Sequence, residues 1–543
     1  MAFNQANSGI LKGMNARVTI AAMVLIMTVL ALGSLFTKDV SQVLGSARTF
    51  LNPFLEWYYV FVVAFLLMFM IWLGTGRYKN VRLGRDDEQP EFAFFSWVAM
   101  LFAAGTGVGI LFWAVAQPIL QFEHNPFEAG LTPQAARVAM SLTYFHWGLN
   151  GWAVFSFVAV VLAFFAYRRN QPLTIRSGLN PVLGTRTRWW LGDVVDVLAT
   201  FATVFGIATT LGLGVRQMNS GLEEVLGLQQ TLPIQVAVAV AIMGVATVSV
   251  VSGLQRGVRA LSQLNFWLSI VILLFILIFG PTQYLFAITL ESAGYYMQNL
   301  VQMTFHTNAT RDDGWQSEWT VFFWGWWLAW APFVGMFIAR VSRGRTFREF
   351  VMGVLLVPTG ITIIWIGLFG GTALYQELFG DGGIIAAVSE DEARALFVTI
   401  ESMGLGPIGQ VVTMGLVILI ATYLVTSANA GTLVINTILS GGDPNPPTVH
   451  RIIWGLILTL MTVVLLVAGG LETLQAAVIM AALPFSVIIL IMAFGLTRAL
   501  QYEDYAARAG DRTESPREPW ADLDDAGREA TEVSEDQKHK EKT

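Results

Sequence analysis

The chain has 543 residues, of which 55% are hydrophobic and 13% charged, whereas soluble globular proteins carry about 25% charged residues. This composition excludes an ordinary soluble domain and points to a polytopic membrane protein built mainly as one helical bundle. The net charge of −6 is local: residues 501–543 hold 13 acidic and 7 basic side chains, and the rest of the chain balances.

Cysteine is absent, which removes disulfides, thiol chemistry, iron–sulfur clusters and cysteine-held zinc; the five histidines lack metal-ligand spacing. Apolar runs of about 20 residues are the signal of a membrane-spanning helix. Twelve occur, at 18–36, 54–74, 95–122, 135–167, 191–214, 233–252, 262–283, 317–340, 350–375, 408–428, 449–469 and 473–497. No small-residue cleavage pattern follows the first run, so it is expected to be retained as a span. Loop charge sets orientation, because cytoplasmic loops keep Lys and Arg. Lys12 and Arg17 precede the first run. Arg77, Lys79, Arg82 and Arg85 follow the second, and the later loops on that side carry Arg168, Arg169, Arg176, Arg186, Arg188, Arg256, Arg259, Arg340–Arg348 and Arg451. The alternate loops are mostly acidic or sparse, and the first, with Lys38, Asp39 and Arg48, is mixed. Both termini are therefore expected in the cytoplasm. Residues 284–303 read as a helix lying along the outer membrane surface, with a subunit contact as a second role. Residues 388–402 read as another short amphipathic helix on that side. The tail is expected to prolong the last helix over 500–510 and then to be disordered or weakly helical.

Five of the runs could carry chemistry. The third run contains AAGTGVG at 103–109, and glycines at alternate positions weaken a helix. Unwound backbone at membrane depth is tolerated where it lines a cavity; close helix packing through small residues is the competing reading. The fourth run is aromatic, with Trp147, Trp152 and Phe155 beside His146. The fifth and tenth runs hold Thr203, Thr209 and Thr210, and Thr426, Ser427 and Asn429. Such hydroxyls usually bond back to their own helix, but adjacent hydroxyls beside unwound carbonyls can ligate Na⁺. The eighth run opens WTVFFWGWWLAWAP, with Trp319, Trp324, Trp326, Trp327 and Trp330 in twelve residues. Large rings can simply fill gaps between helices, or their faces can bind a quaternary ammonium. A relay of buried carboxylates, usual in proton pumps, is missing, and no nucleotide-binding, metalloprotease or hydrolase motif makes a case for an enzyme.

The segment WTVFFWGWWLAWAPFVGMFIARVSRGRTFREF at 319–350 resembles the signature of the betaine/choline/carnitine transporter (BCCT) family. AAGTGVGILFWAVAQP at 103–118, FHWGLNGWAVF at 145–155, ATVFGIATTLGLG at 202–214, SGLQRGVRALSQLN at 252–265 and VTSANAG at 425–431 extend the likeness over about residues 15–500. The resemblance implies twelve transmembrane helices in a LeuT-type architecture, two inverted five-helix repeats preceded by two extra N-terminal helices. The expected divisions are 1–94, the first repeat at 95–283, a surface helix and loop at 284–316, the second repeat at 317–499 and an acidic tail at 500–543. It further implies uptake of a quaternary ammonium or sulfonium compatible solute by alternating access across the bacterial inner membrane, in the lipid bilayer and as a homotrimer, without cofactor or nucleic acid. The cation would sit among Trp326, Trp327, Trp330 and Trp147, with Phe155 where the family has Tyr. Trp324 and Phe333 would flank the path, and Gly105, Gly107 and Gly109 would approach the substrate's carboxylate or hydroxyl. One Na⁺ would take the hydroxyls of Thr426 and Ser427 and the carbonyls of Ala103 and Thr106. A second family sodium site would include Thr203, but its partner position is Ile207, which cannot ligate; Thr210 is a displaced candidate. Gly109 stands where some proton-coupled members have Asp, which favours sodium. Gln117 stands where many members have Glu. A proton-coupled choline importer, a gradient-independent exchanger, and an osmosensing channel or receptor are the alternatives.

Overall fold

A computed structural model describes residues 5–105, 107–251, 255–310 and 313–509, and the secondary structure among them is helical apart from isolated bridge pairs. The chain begins with α1 (Ala16–Leu35) and α2 (Thr37–Thr75). The third apolar run divides into α3 (Phe94–Gly105) and α4 (Val108–Glu123), and the fourth into α5 (Pro133–Trp147) and α6 (Leu149–Ala163). A connector containing α7 (Asn180–Leu183) leads to α8 (Trp190–Leu226), α9 (Leu232–Val251), α10 (Gln255–Phe279) and α11 (Thr282–Thr304). The second half comprises α12 (Trp315–Glu318), α13 (Thr320–Val341), α14 (Phe347–Phe379), α15 (Ile384–Glu390), α16 (Ala395–Ser402), α17 (Pro407–Leu439) and α18 (Thr448–Ala509).

Among the described residues, ten helical segments are long and apolar enough to cross a membrane. The chain is thus an all-α polytopic membrane protein. Two features separate this count from the twelve apolar runs. The run 95–122 is broken into α3 and α4, each too short to count alone. The runs 449–469 and 473–497 both lie in α18, where Gly469 and Gly470 leave helical geometry and Gly470 adopts φ +60°.

Four segments differ from expectation. Residues 37–53 are the first part of α2 rather than a loop. Their polar composition hides them from a hydropathy reading, yet nothing before Pro53 stops a helix. At 1.5 Å per residue α2 is roughly 58 Å long, about twice the ~30 Å hydrocarbon core. The expected helix over 388–402 is two, α15 and α16, parted where Asp391 accepts from the Ala393 N–H and pairs with Arg216 at 2.8 Å. Helices α8 and α17 run past their apolar cores to Leu226 and Leu439, because nothing in those polar ends breaks a helix. The tail continues α18 to Ala509, and its acidic remainder, 510–543, lies outside the described residues.

Helix α13 occupies the centre, packed on α6, α8 and α18, while α4 packs on α5 and α14. The expected surface helix is α11. It buries Leu285, Ile288, Ser292 and Tyr296, one stripe at helical spacing, and braces α5 and α14. Its Tyr296 hydroxyl, 3.2 Å from the Leu149 nitrogen, accepts the N–H that the α5–α6 break at Gly148 leaves free. The two helix breaks that shape the centre of the bundle are thus built differently: the one at Gly148 is held by a neighbour, and the one at Gly107 opens onto a cavity.

Candidate functional site

Helix α4 starts at Gly107, whose backbone is extended (φ −136°, ψ −171°) and which supplies no side-chain cap. The first N–H groups of a helix have no partner within it and carry its positive dipole end. Here that end meets a cavity lined by Gly107, Gly109, Ile110, Trp147, Phe155, Trp326, Trp327 and Trp330. About 40 Å³ of it is open to the centres of water molecules; one water needs ~10–15 Å³ on that measure. The lining contains five aromatic rings and no charged side chain.

Glycines set the rings. A Cβ on Gly109 would lie 2.6 Å from Trp326 Cη2 and 3.1 Å from Trp147 Cη2. One on Gly206 would lie 2.6 Å from Trp330 Cδ1, and one on Gly151 would overlap the Trp327 ring. Trp326, Trp327 and Trp330 of α13 therefore seat in notches on three different helices: α4, α6 and α8. The rings meet edge to face, Trp147–Trp326 at 5.8 Å and Trp147–Trp327 at 6.0 Å, with Phe155–Trp327 at 4.5 Å and tilted. Such arrangements suit the ring quadrupoles.

Hydrogen bonds fix three of the four indoles. Trp326 donates to Thr210 Oγ1 at 3.1 Å, Trp327 to the His146 carbonyl at 3.0 Å and Trp147 to Gln117 Oε1 at 3.1 Å. The Trp330 N–H has no partner among the described residues.

The sequence-derived candidates separate accordingly. Trp147, Phe155, Trp326, Trp327, Trp330, Gly107 and Gly109 converge on the cavity. Phe333 packs under Trp330 at 5.3 Å. Trp324 is fully buried between Phe145 and His146, at 5.2 and 5.6 Å, and is not in the lining. Gly105 ends α3 and Ala103 lies two residues before it, while Thr106 lies outside the described residues. Thr426 and Ser427 are adjacent and half-buried on α17; the Thr426 hydroxyl bonds the carbonyls of Thr422 and Tyr423 at 3.0 Å. On α8, Thr203 bonds the Ala199 carbonyl at 2.7 Å, and Thr210 is engaged by Gly206 and Trp326. Ile207 is buried, its side chain filling the notch at Gly431 of α17. Among the described residues no cluster of His, Asp or Glu could hold a metal ion.

Sequence reasoning missed Ile110 and Gly151, and reached Gly206 and the supporting Gln117 without giving them a role. Ile110 sits in the first turn after the Gly107 break, a position that periodicity could have found. The two glycines carry a signal only once a large ring is known to face them.

The fold and site define a multi-pass helical membrane protein with an uncharged aromatic cavity at a broken helix. Residues 17–505 match the profile of the BCCT, betaine/carnitine/choline family transporter. The chain is 38% identical over 496 residues to a glycine betaine transporter of Acinetobacter baylyi, covering 91% of this chain and 74% of that one. It is 41% identical over 446 residues to an ectoine/hydroxyectoine transporter of Virgibacillus pantothenticus, covering 82% and 88%. It is 39% identical over 485 residues to the glycine betaine transporter OpuD of Bacillus subtilis, covering 89% and 93%. The chain belongs to the betaine/carnitine/choline transporter family.

Proposed function

We propose that the protein imports a compatible solute with a delocalised or fully alkylated cationic head and a carboxylate, such as glycine betaine or ectoine, driven by sodium. The observation that carries this reading is the cavity itself: aromatic faces surround it, an α-helix N-terminus opens into it, and its lining has no ionised group. A quaternary ammonium has no N–H to leave unsatisfied, so ring faces alone can replace its weak hydration. Each cation–π contact contributes on the order of 0.5–2 kcal/mol. A bare cation such as choline would be buried without a counter-charge. A zwitterion brings its own, and the N–H groups at the start of α4 suit its carboxylate.

Twelve crossings in two inverted repeats are the arrangement proposed, with the Gly107 break and the Trp-rich α13 opening the respective repeats, as in transporters that bind at the midplane. The kink at Gly469–Gly470 supports counting α18 as two crossings. The loop arginines support an orientation with both termini on the cytoplasmic side of a bacterial inner membrane. Helix α11 leaves Phe286, Leu290, Met297 and Val301 exposed, an apolar edge that suits lipid or the neighbouring subunit of a homotrimer. Sodium is proposed at Thr426 and Ser427 with the backbone of Ala103 and Thr106. The second site is proposed to be lost, since hydrocarbon from Ile207 fills the space against Gly431.

Uptake of radiolabelled glycine betaine, ectoine, carnitine, choline and dimethylsulfoniopropionate into proteoliposomes, with and without a sodium gradient, tests the reading. Zwitterion uptake that rises with the gradient is expected. Equal uptake without sodium would remove the coupling; uptake needing internal counter-substrate would make the protein an exchanger; collapse by a protonophore alone would make it proton-driven.

A further inference from the structure

Beside the cavity lies a buried polar chain that neither substrate nor ion binding accounts for. Gln117 on α4 and His146 on α5 are fully buried, and Thr320 opens α13. The Trp147 N–H lies 3.1 Å from Gln117 Oε1, Gln117 Nε2 lies 2.6 Å from His146 Nδ1, and His146 Nε2 lies 3.1 Å from Thr320 Oγ1. The chain has one self-consistent direction. An indole N–H can only donate, so the Gln117 oxygen accepts and its amide nitrogen donates. His146 Nδ1 must then be the acceptor, which leaves the proton on Nε2, donating to Thr320. The imidazole is held neutral in a single tautomer. It stacks on Phe323 at 4.8 Å, with planes 10° apart, and the His146 carbonyl takes the Trp327 N–H. Two indoles of the aromatic cage that lines the cavity (Trp147, Phe155, Trp326, Trp327 and Trp330), Trp147 on α5 and Trp327 on α13, are thereby tied to one buried residue pair. Gln121, one turn after Gln117, accepts the Trp315 N–H at 2.8 Å in the same way.

We propose that Gln117 and His146 are positioning residues for the cage: through this directional chain to Thr320 they set the Trp147 ring that closes the cavity beside Gly109. The proposal rests on the cage being the substrate site. Its energetic logic is that removing one partner strands a buried donor, which costs more than the bond itself contributes. The effect should reach the substrate only through the Trp147 indole.

The test is glycine betaine uptake by the full chain in proteoliposomes, with KM and Vmax measured separately for Gln117→Met, Trp147→Phe and the double variant. Gln117→Met is expected to raise KM about tenfold, as loss of a buried hydrogen bond would, with Vmax within about twofold. In the Trp147→Phe background, which has no indole N–H, the same change should add nothing, because residues in one network are not additive. A wild-type KM for Gln117→Met, or full additivity in the double variant, would overturn the proposal. Should Gln117→Met fail to fold, Thr320→Val is the near-isosteric second probe. It is expected to raise KM in the wild type and not in the Trp147→Phe background, and equal effects in both would overturn the proposal. Trp330→Ala separates the two levels. If it leaves KM unchanged, the cage reading itself has failed; if it raises KM while Gln117→Met does not, only the positioning role has.

Discussion

At the residue scale the site is a matter of small against large. Gly109, Gly151 and Gly206 each give way to one indole of α13, and a methyl group at any of them has no room. Forced overpacking typically costs 1–3 kcal/mol. Gly109→Ala and Gly206→Ala are therefore expected to weaken solute uptake by about tenfold in KM, through displacement of Trp326 and Trp330, and to leave expression near normal. Kinetics of radiolabelled uptake check this, and unchanged KM in both would contradict the seating. Ile207 is the opposite case, a large side chain where a ligand would need a hydroxyl. Its packing against Gly431 predicts that uptake depends hyperbolically on sodium concentration, as for a single ion, and a sigmoidal dependence would contradict it.

At the scale of elements, the breaks organise the bundle. The Tyr296 hydroxyl completes the exposed start of α6, so Tyr296→Phe strands the Leu149 N–H. A stranded buried donor costs about 1–3 kcal/mol. A lowered thermal unfolding midpoint, with substrate KM preserved, is expected and can be read by thermal denaturation in detergent. Much of this level was legible beforehand. Alternating glycines placed the Gly107 break, since glycine without its side chain favours neither helix nor fixed geometry. Apolar runs placed the helices, and the family resemblance singled out Trp326, Trp327 and Trp330, which line one cavity from α13. What was hidden has physical causes. The start of α2 is helical but too polar to register as apolar, and Asp391 splits a stretch whose pattern reads as one helix. The packing of Trp324 away from the cavity depends on which neighbours surround it, and sequence spacing carries no record of that.

At the scale of the molecule, the cavity lining carries no charge and the ion pairs lie outside it. Arg176, almost fully buried, pairs with Asp196 at 2.6 Å and Asp193 at 2.9 Å, pinning the connector before α8 to the start of that helix. Removing one member of a buried ion pair costs about 3–5 kcal/mol, because the other stays behind uncompensated. Arg176→Ala is expected to reduce thermal stability strongly while leaving the cavity lining intact, so any surviving folded protein should bind solute with near-normal affinity. The cavity, by contrast, has no charged side chain in its lining, and the proposed charge-balanced solute with an alkylated head follows from that. The most direct measurement is isothermal titration of the purified protein with glycine betaine and with choline, for the wild type and for Trp330→Ala. Saturable betaine binding, tighter than choline binding and weakened at least about tenfold by loss of a buried cation–π contact, is the predicted result. Equal betaine affinity in the two proteins, or choline bound more tightly than betaine, would contradict it.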